Sequence, residues 1–234
     1  MPSPRKPVKP RSGKAAEERV FNAVLDAILD HRLAPGTRLS ERGLSELLGA
    51  SRGAVRAALS RLGHSLLVEL RPNRGAVIAK LSAAETRDLF EARRVIEAAV
   101  LERLAGAISA KPLAELRAFV AEEQRAYDGG DRKGGQRLSI RFHKLLSELA
   151  GNAALDRFME HLISRTPLLV LSRGSRVAYC GAHEHREIVE ALARRDGALA
   201  VKRMTGHLAE LERQLRLDDE TPGPASLAAA LSAA

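Results

Sequence analysis

Along the first third of the chain, apolar residues recur at helical spacing in short blocks. Val20, Val24, Leu25 and Ile28 form one stripe and predict a helix over 14–31. Pro35-Gly36 breaks it. Leu44, Leu47 and Leu48 then predict a second, shorter helix near 40–48, which Gly49 can end in the left-handed conformation. Ser51 stands where an N-cap belongs, ahead of Arg52 to Leu59, and Val55, Leu59 and Leu62 share a face of this third helix. The period then changes. Short apolar runs at 66–70 and 76–79 flank Arg71-Pro72-Asn73-Arg74-Gly75, a β-hairpin with a basic loop in which Pro72 argues against a long strand. From Ser82 onward the period is helical again, in six segments at 82–109, 112–128, 131–150, 152–171, 178–195 and 197–216. The expected fold is mainly α. A winged helix-turn-helix at 14–80 precedes an all-α bundle of six or seven helices at 82–217, between disordered tails at 1–13 and 218–234.

Charge divides the 234 residues along the same line. Residues 1–80 hold 15 Lys and Arg against 7 Asp and Glu, whereas the remaining 154 hold 23 against 22, within a net charge of +9. A basic module joined to a nearly neutral one suggests nucleic-acid binding coupled to a second task. Aromatic residues make up only 3%, which disfavours single-strand binding by base stacking and favours duplex DNA. One cysteine, Cys180, excludes an internal disulfide. No run of 18 apolar residues and no signal-peptide pattern occurs, so no membrane partner is expected and the cytoplasm is the expected compartment.

Two short helices, a tight turn and a basic hairpin place the chemistry at the start of the second helix, whose first turn would enter the major groove. Arg52 and Arg56 lie four apart on one face, opposite Val55 and Leu59. Ser51 and the free N–H groups beside it suit a phosphate. Arg42 on the preceding helix would reach backbone or base. Asn73, Arg74 and Gly75 at the hairpin tip would reach the minor groove, with Gly75 allowing close approach. One such short helix reads few base pairs, so a homodimer on a palindromic double-stranded operator is expected.

Three of the seven histidines, His143, His185 and His207, fall on separate expected helices. His185 and His207 are 22 apart, across the Asp196-Gly197 break, which suits an antiparallel pair. Imidazole is the commonest zinc ligand, but a lone helical histidine is more often structural. Spacing alone leaves both readings open.

The stretch PGTRLSERGLSELLGASRGAVRAALSRL…RPNRGAVIA, residues 35–79, resembles the GntR family of bacterial transcription regulators. Two departures are Gly43-Leu44, where the family has a longer side chain before the leucine, and Leu66, which a glycine usually precedes. Residues 84–216, with FHKLLSELAGN at 142–152, EHREIVEALARRD at 184–196 and His207, resemble the all-helical FCD effector domain of its FadR-type branch. The resemblance implies a ligand-responsive regulator, expected to repress, and no enzyme. It also implies a divalent metal at His143, His185 and His207, zinc first, with nickel or manganese admissible. The family's fourth ligand is an aspartate one turn before the first histidine; here that position is Ser139. Arg93 resembles the family's pocket arginine, which would pair with a small carboxylate effector near Ser139. A helix-surface pair with Glu97 is the alternative for Arg93. For the whole chain, the alternative is a metal-dependent hydrolase fused to a DNA-binding module, with Glu184 or Glu148 as base.

Overall fold

The computed structural model describes residues 13–30, 32–72, 74–172, 182–215 and 227–231. Its first part comprises α1 (Gly13–Leu29), β1 (Arg38–Leu39), α2 (Glu41–Leu48), α3 (Arg52–His64), β2 (Val68–Arg71) and β3 (Gly75–Ile78). The apolar stripes become its core: Val20, Val24, Ile28, Leu44, Val55, Leu59 and Leu62 are all buried. Ser40 and Ser51 cap α2 and α3 by accepting from the N–H groups of Gly43 and Ala54, and Gly49 ends α2 at φ 57°.

The sheet is antiparallel in the order β1-β3-β2, with Leu39 opposite Ala76 and Arg71 opposite Gly75. β1, only two residues long, leaves no period in the sequence. Gly75 adopts φ 81°, and a Cβ there would lie 2.1 Å from the Leu39 carbonyl oxygen. The glycine thus permits a close approach to the protein's own β1. Leu66, where the family pattern departs, takes φ 55°, a left-handed conformation disfavoured for a branched residue.

The second part comprises α4 (Ala83–Ala107), α5 (Ala110–Asp128), α6 (Arg132–Leu149), α7 (Ala153–Ser164), α8 (Thr166–Ser172), α9 (Ala182–Ala193) and α10 (Gly197–Gln214). A capping box between Ser82 and Glu85 starts α4. α4 runs through the middle, packed against α6, α7, α9 and α10, while α5 packs on α6 and α9. The expected helix at 152–171 is two helices, α7 and α8, broken at Arg165. Pro167 has no N–H to continue the ladder and disfavours helical backbone in the residue before it. The start of the expected 178–195 helix lies outside the described residues. Within those residues the bundle has seven helices, so the chain is mainly α, a winged helix-turn-helix followed by a helical bundle.

One expectation is corrected. The tail from 218 was expected to be disordered throughout, yet Leu227–Leu231 forms a short helix, α11, packed on α1 and α2. Leu227 and Leu231 sit four apart, and Ala230 and Leu231 are buried. That spacing gives the segment an apolar face despite the Pro-Gly-Pro before it.

Candidate functional site

The three histidines meet inside the helical bundle. His143 comes from α6, His185 from α9 and His207 from α10, each at most 3% exposed. One ring nitrogen from each lies within 4.8 Å of the other two. Each ring is held from behind by a carboxylate. His143 Nδ1 is 2.6 Å from Glu97 on α4, His185 Nδ1 is 2.8 Å from Glu123 on α5, and His207 Nδ1 is 2.7 Å from Glu184 on α9. Phe142 stacks on His185 at 4.2 Å between centroids.

A carboxylate at Nδ1 fixes the tautomer with its proton there and leaves the Nε2 lone pair facing inward. The Nε2 atoms of His185 and His207 are 3.4 Å apart. A tetrahedral zinc with Zn–N of about 2.0–2.1 Å holds its nitrogens about 3.3–3.4 Å apart, so this pair has the separation a metal requires.

The electrostatics favour neutral imidazoles at His143 and His185. Burial pushes His143 down to about 3, against the raising effect of Glu97, and burial likewise pushes His185 well below its ordinary value. Burial opposes ionisation of Glu97, but His143 and Arg93 together outweigh it and hold the carboxyl at about 2. Glu123 has weaker compensation, and burial raises it to about 7. Ser139, buried and on the same helix as His143, acts to lower the Glu123 carboxyl and brings no charge of its own.

Arg93 is 1% exposed, and its Nε donates to Glu97 at 2.9 Å. The expected partner Glu97 is therefore present, but the pair is buried beside the histidines instead of lying on a helix surface. Arg93 Nη1 is buried with no hydrogen-bond partner among the described residues, a donor free for an anion. Arg94 pairs with Glu212 and Arg141 with Glu148, both away from the histidine centre. His64, His161 and His183 are exposed; His31 and Cys180 lie outside the described residues.

The carboxylates are what sequence reading missed. Arg93 and Glu97 occupy positions on α4 that Leu89, Phe90, Val100, Leu101 and Leu104 mark as core. Glu123 continues the buried line of Leu116 and Val120 on α5. Charged residues inside an apolar stripe were the available signal.

On the winged helix, Arg42, Ser51, Arg52, Arg56 and Arg74 are exposed. Arg56 forms a two-point pair with Glu41, at 3.1 and 2.8 Å, and Arg42 pairs with Glu46 at 2.7 Å. Arg52 makes no hydrogen bond among the described residues. Ser51 accepts from Ala54 N–H as the α3 cap, which leaves its hydroxyl proton available to donate. Asn73 lies outside the described residues.

Comparison with known proteins identifies the two parts of the chain. The profile of the gntR family of bacterial regulatory proteins matches residues 16–78, and that of the FCD domain matches residues 88–210. The chain is 28% identical to the HTH-type transcriptional repressor RspR of Escherichia coli, over 85% of this chain and 88% of that one. It is 30% identical to the "Probable D-xylose utilization operon transcriptional repressor" of Paenarthrobacter nicotinovorans, over 85% and 87%. A solved GntR regulator from Rhodococcus sp. RHA1 superposes with a TM-score of 0.73 at 27% identity, covering 88% of this chain and all of that one.

Proposed function

The chain belongs to the gntR family of bacterial regulatory proteins and carries an FCD domain, and from that premise we propose a ligand-responsive repressor that binds a palindromic operator as a homodimer. Its histidine centre holds a divalent metal, zinc first, and takes a small organic acid as effector. DNA-binding transcription regulation is the family's activity, and the relatives are regulators rather than enzymes. The hydrolase alternative lacks its base: Glu184 is committed to His207 Nδ1, and Glu148 pairs with Arg141 outside the centre.

The observation that carries the metal assignment is the convergence of three imidazoles, each fixed at Nδ1 by a glutamate. Ser139 supplies no ligand charge, but the carboxylates of Glu97, Glu123 and Glu184 set against the Arg93 guanidinium leave two negative charges around the centre when all are ionised. That balance matches a dication. A metal bound there would act as a Lewis acid toward an effector carboxylate. Arg93 Nη1 would hold such an anion from the α4 side, and Ser139 would line its place. An effector that binds one arrangement of the two domains better than another shifts operator affinity by that difference.

On DNA, Arg52 and Arg56 read bases from the first turn of α3. Arg42, Ser51 and the wing residues Asn73, Arg74 and Gly75 fix the protein on the backbone and minor groove. Metal analysis of the untagged protein beside a His143→Ala/His185→Ala variant tests the centre. About one metal per chain, lost in the variant, is expected. No metal after adding zinc or nickel would remove the ion from the proposal and leave Arg93 to hold an anion directly.

A further inference from the structure

The helix that carries the first histidine also grips the DNA-reading domain. Arg137 stands two residues before Ser139 and six before His143 on α6. Its guanidinium reaches across to α1, with Nη1 at 2.9 Å from Asp26 Oδ1 and Nη2 at 2.7 Å from Asp30 Oδ1. Nε lies 3.2 Å from the same Asp30 oxygen. Asp26 and Asp30 are four apart, so both carboxylates face one side of α1, and one planar fork spans the pair as an ammonium could not.

Asp30 also takes Nη2 of Arg32 at 3.3 Å, and Arg32 Nη1 donates to the carbonyl of Ala230 on α11. α11 follows α10, the His207 helix, in the chain, and packs on α1 and α2. The last turn of α1 thus meets the helix of His143 directly, and the chain segment beyond the helix of His207 through Arg32.

α1 is also tied to the recognition helix. Arg61 on α3 reaches Glu17 and Glu18 at 3.1 and 2.8 Å and lies over the Phe21 ring at 4.2 Å. Beneath it, Val20, Val24 and Ile28 of α1 and Val55, Leu59 and Leu62 of α3 are all buried. A displacement of α1 therefore carries α3 with it.

We propose that the C-terminal end of α1, with Asp26, Asp30 and Arg32 held by Arg137 and by α11, is the junction through which the histidine centre sets the position of the DNA-reading helix. It rests on the regulator assignment above and adds the route between the two sites. α6 is a rigid rod, so an adjustment of His143 on accepting a ligand moves Arg137 as well, and with it Asp26 and Asp30. Because these charges are partly solvated, the grip can be exchanged for water at small cost and so can have two settings.

The test uses the full chain with Cys180→Ser, spin-labelled at the exposed positions Glu69 on β2 and Glu160 on α7. Arg137→Gln is expected to shift or broaden the distance distribution between labels. It should also speed amide exchange in α1 and α2 by ~3–10-fold, leaving α9 and α10 unchanged. Asp26→Asn, which takes a carboxylate from Arg137 and leaves Asp30 to Arg32, should reproduce part of this and should add nothing to Arg137→Gln, because the same contact has then been removed twice. His143→Ala should change the label distance when Arg137 is present and leave it unchanged in Arg137→Gln. Ser164→Ala, which removes the separate hydrogen bond to the Ser65 carbonyl, is the control for general loosening. A distance distribution and exchange pattern unaffected by Arg137→Gln would overturn the junction. Absence of specific DNA binding by the unaltered protein would overturn the regulator assignment instead, so the two failures are separable.

Discussion

Arg52 and Arg93 are the same side chain put to opposite uses. Arg52 stands in solvent at the start of α3 with no hydrogen bond among the described residues, whereas Arg93 is 1% exposed and bonded to a glutamate that itself holds a histidine. A solvated arginine contributes little to the fold and can reorganise around a phosphate or base. A buried one is stable only while its partners are in place, and those partners confine it to a single position. The DNA-reading domain thus keeps its working groups adjustable. The helical domain keeps its own fixed, as the effector site proposed there would require.

The sharpest way to break this contrast is to remove one partner in each region and compare stabilities. Glu97→Ala leaves the Arg93 guanidinium buried without its carboxylate and frees the His143 ring. It is expected to cost about 3–5 kcal/mol, measured by urea unfolding. Glu46→Ala, which deletes the surface partner of Arg42, should change stability by less than about 0.5 kcal/mol. Similar losses in the two variants would show that burial is not what separates the regions.

The same contrast governs what the sequence could disclose. The winged helix was legible because its signals are local. Ser51 caps the helix it precedes, Gly49 ends the one it follows, and Gly75 sits in the turn it makes possible. The histidines were legible as a set through their spacing and family pattern. The carboxylates behind them were not, since Glu97 lies 46 residues from His143 and Glu123 lies 62 from His185. Glu97 looked like a surface partner for Arg93 because an i,i+4 pair reads the same on either side of a helix. Only packing of α4 against four other helices decides that the pair is interior. α11 escaped notice for a related reason, as its apolar face has meaning only once α1 and α2 present a surface to cover.

A second, smaller effect sharpens the contrast from the DNA side. Arg52→Ala should leave the urea midpoint in place yet cost about 1–3 kcal/mol of specific operator binding, read by titration of labelled duplex at fixed salt. Loss on the operator with little loss on random duplex would assign Arg52 to a base edge. Equal losses on both, with a shallower salt dependence, would assign it to phosphate. Arg56→Ala should cost less in the same titration, because Arg56 must first give up Glu41 before it can bind DNA.

The smallest effect lies where the two regions touch. Burial pushes the Asp30 carboxyl up, but its hydrogen bond and charge interaction with Arg137, joined by those of Arg32, outweigh burial and hold it below the ordinary aspartate value of 3.8. A group whose folded value is depressed contributes stability that is present above the unfolded value and lost as pH falls through the folded one. The Arg137 grip is therefore complete at neutral pH and weakens only below about pH 3.8, by less than about 1 kcal/mol for so exposed a pair. The label distance between β2 and α7 should begin to broaden in that range and should be flat with pH in Asp30→Asn. Broadening that starts well above that range would trace to another group, and would take control of the domain arrangement away from the Asp30–Arg137 contact.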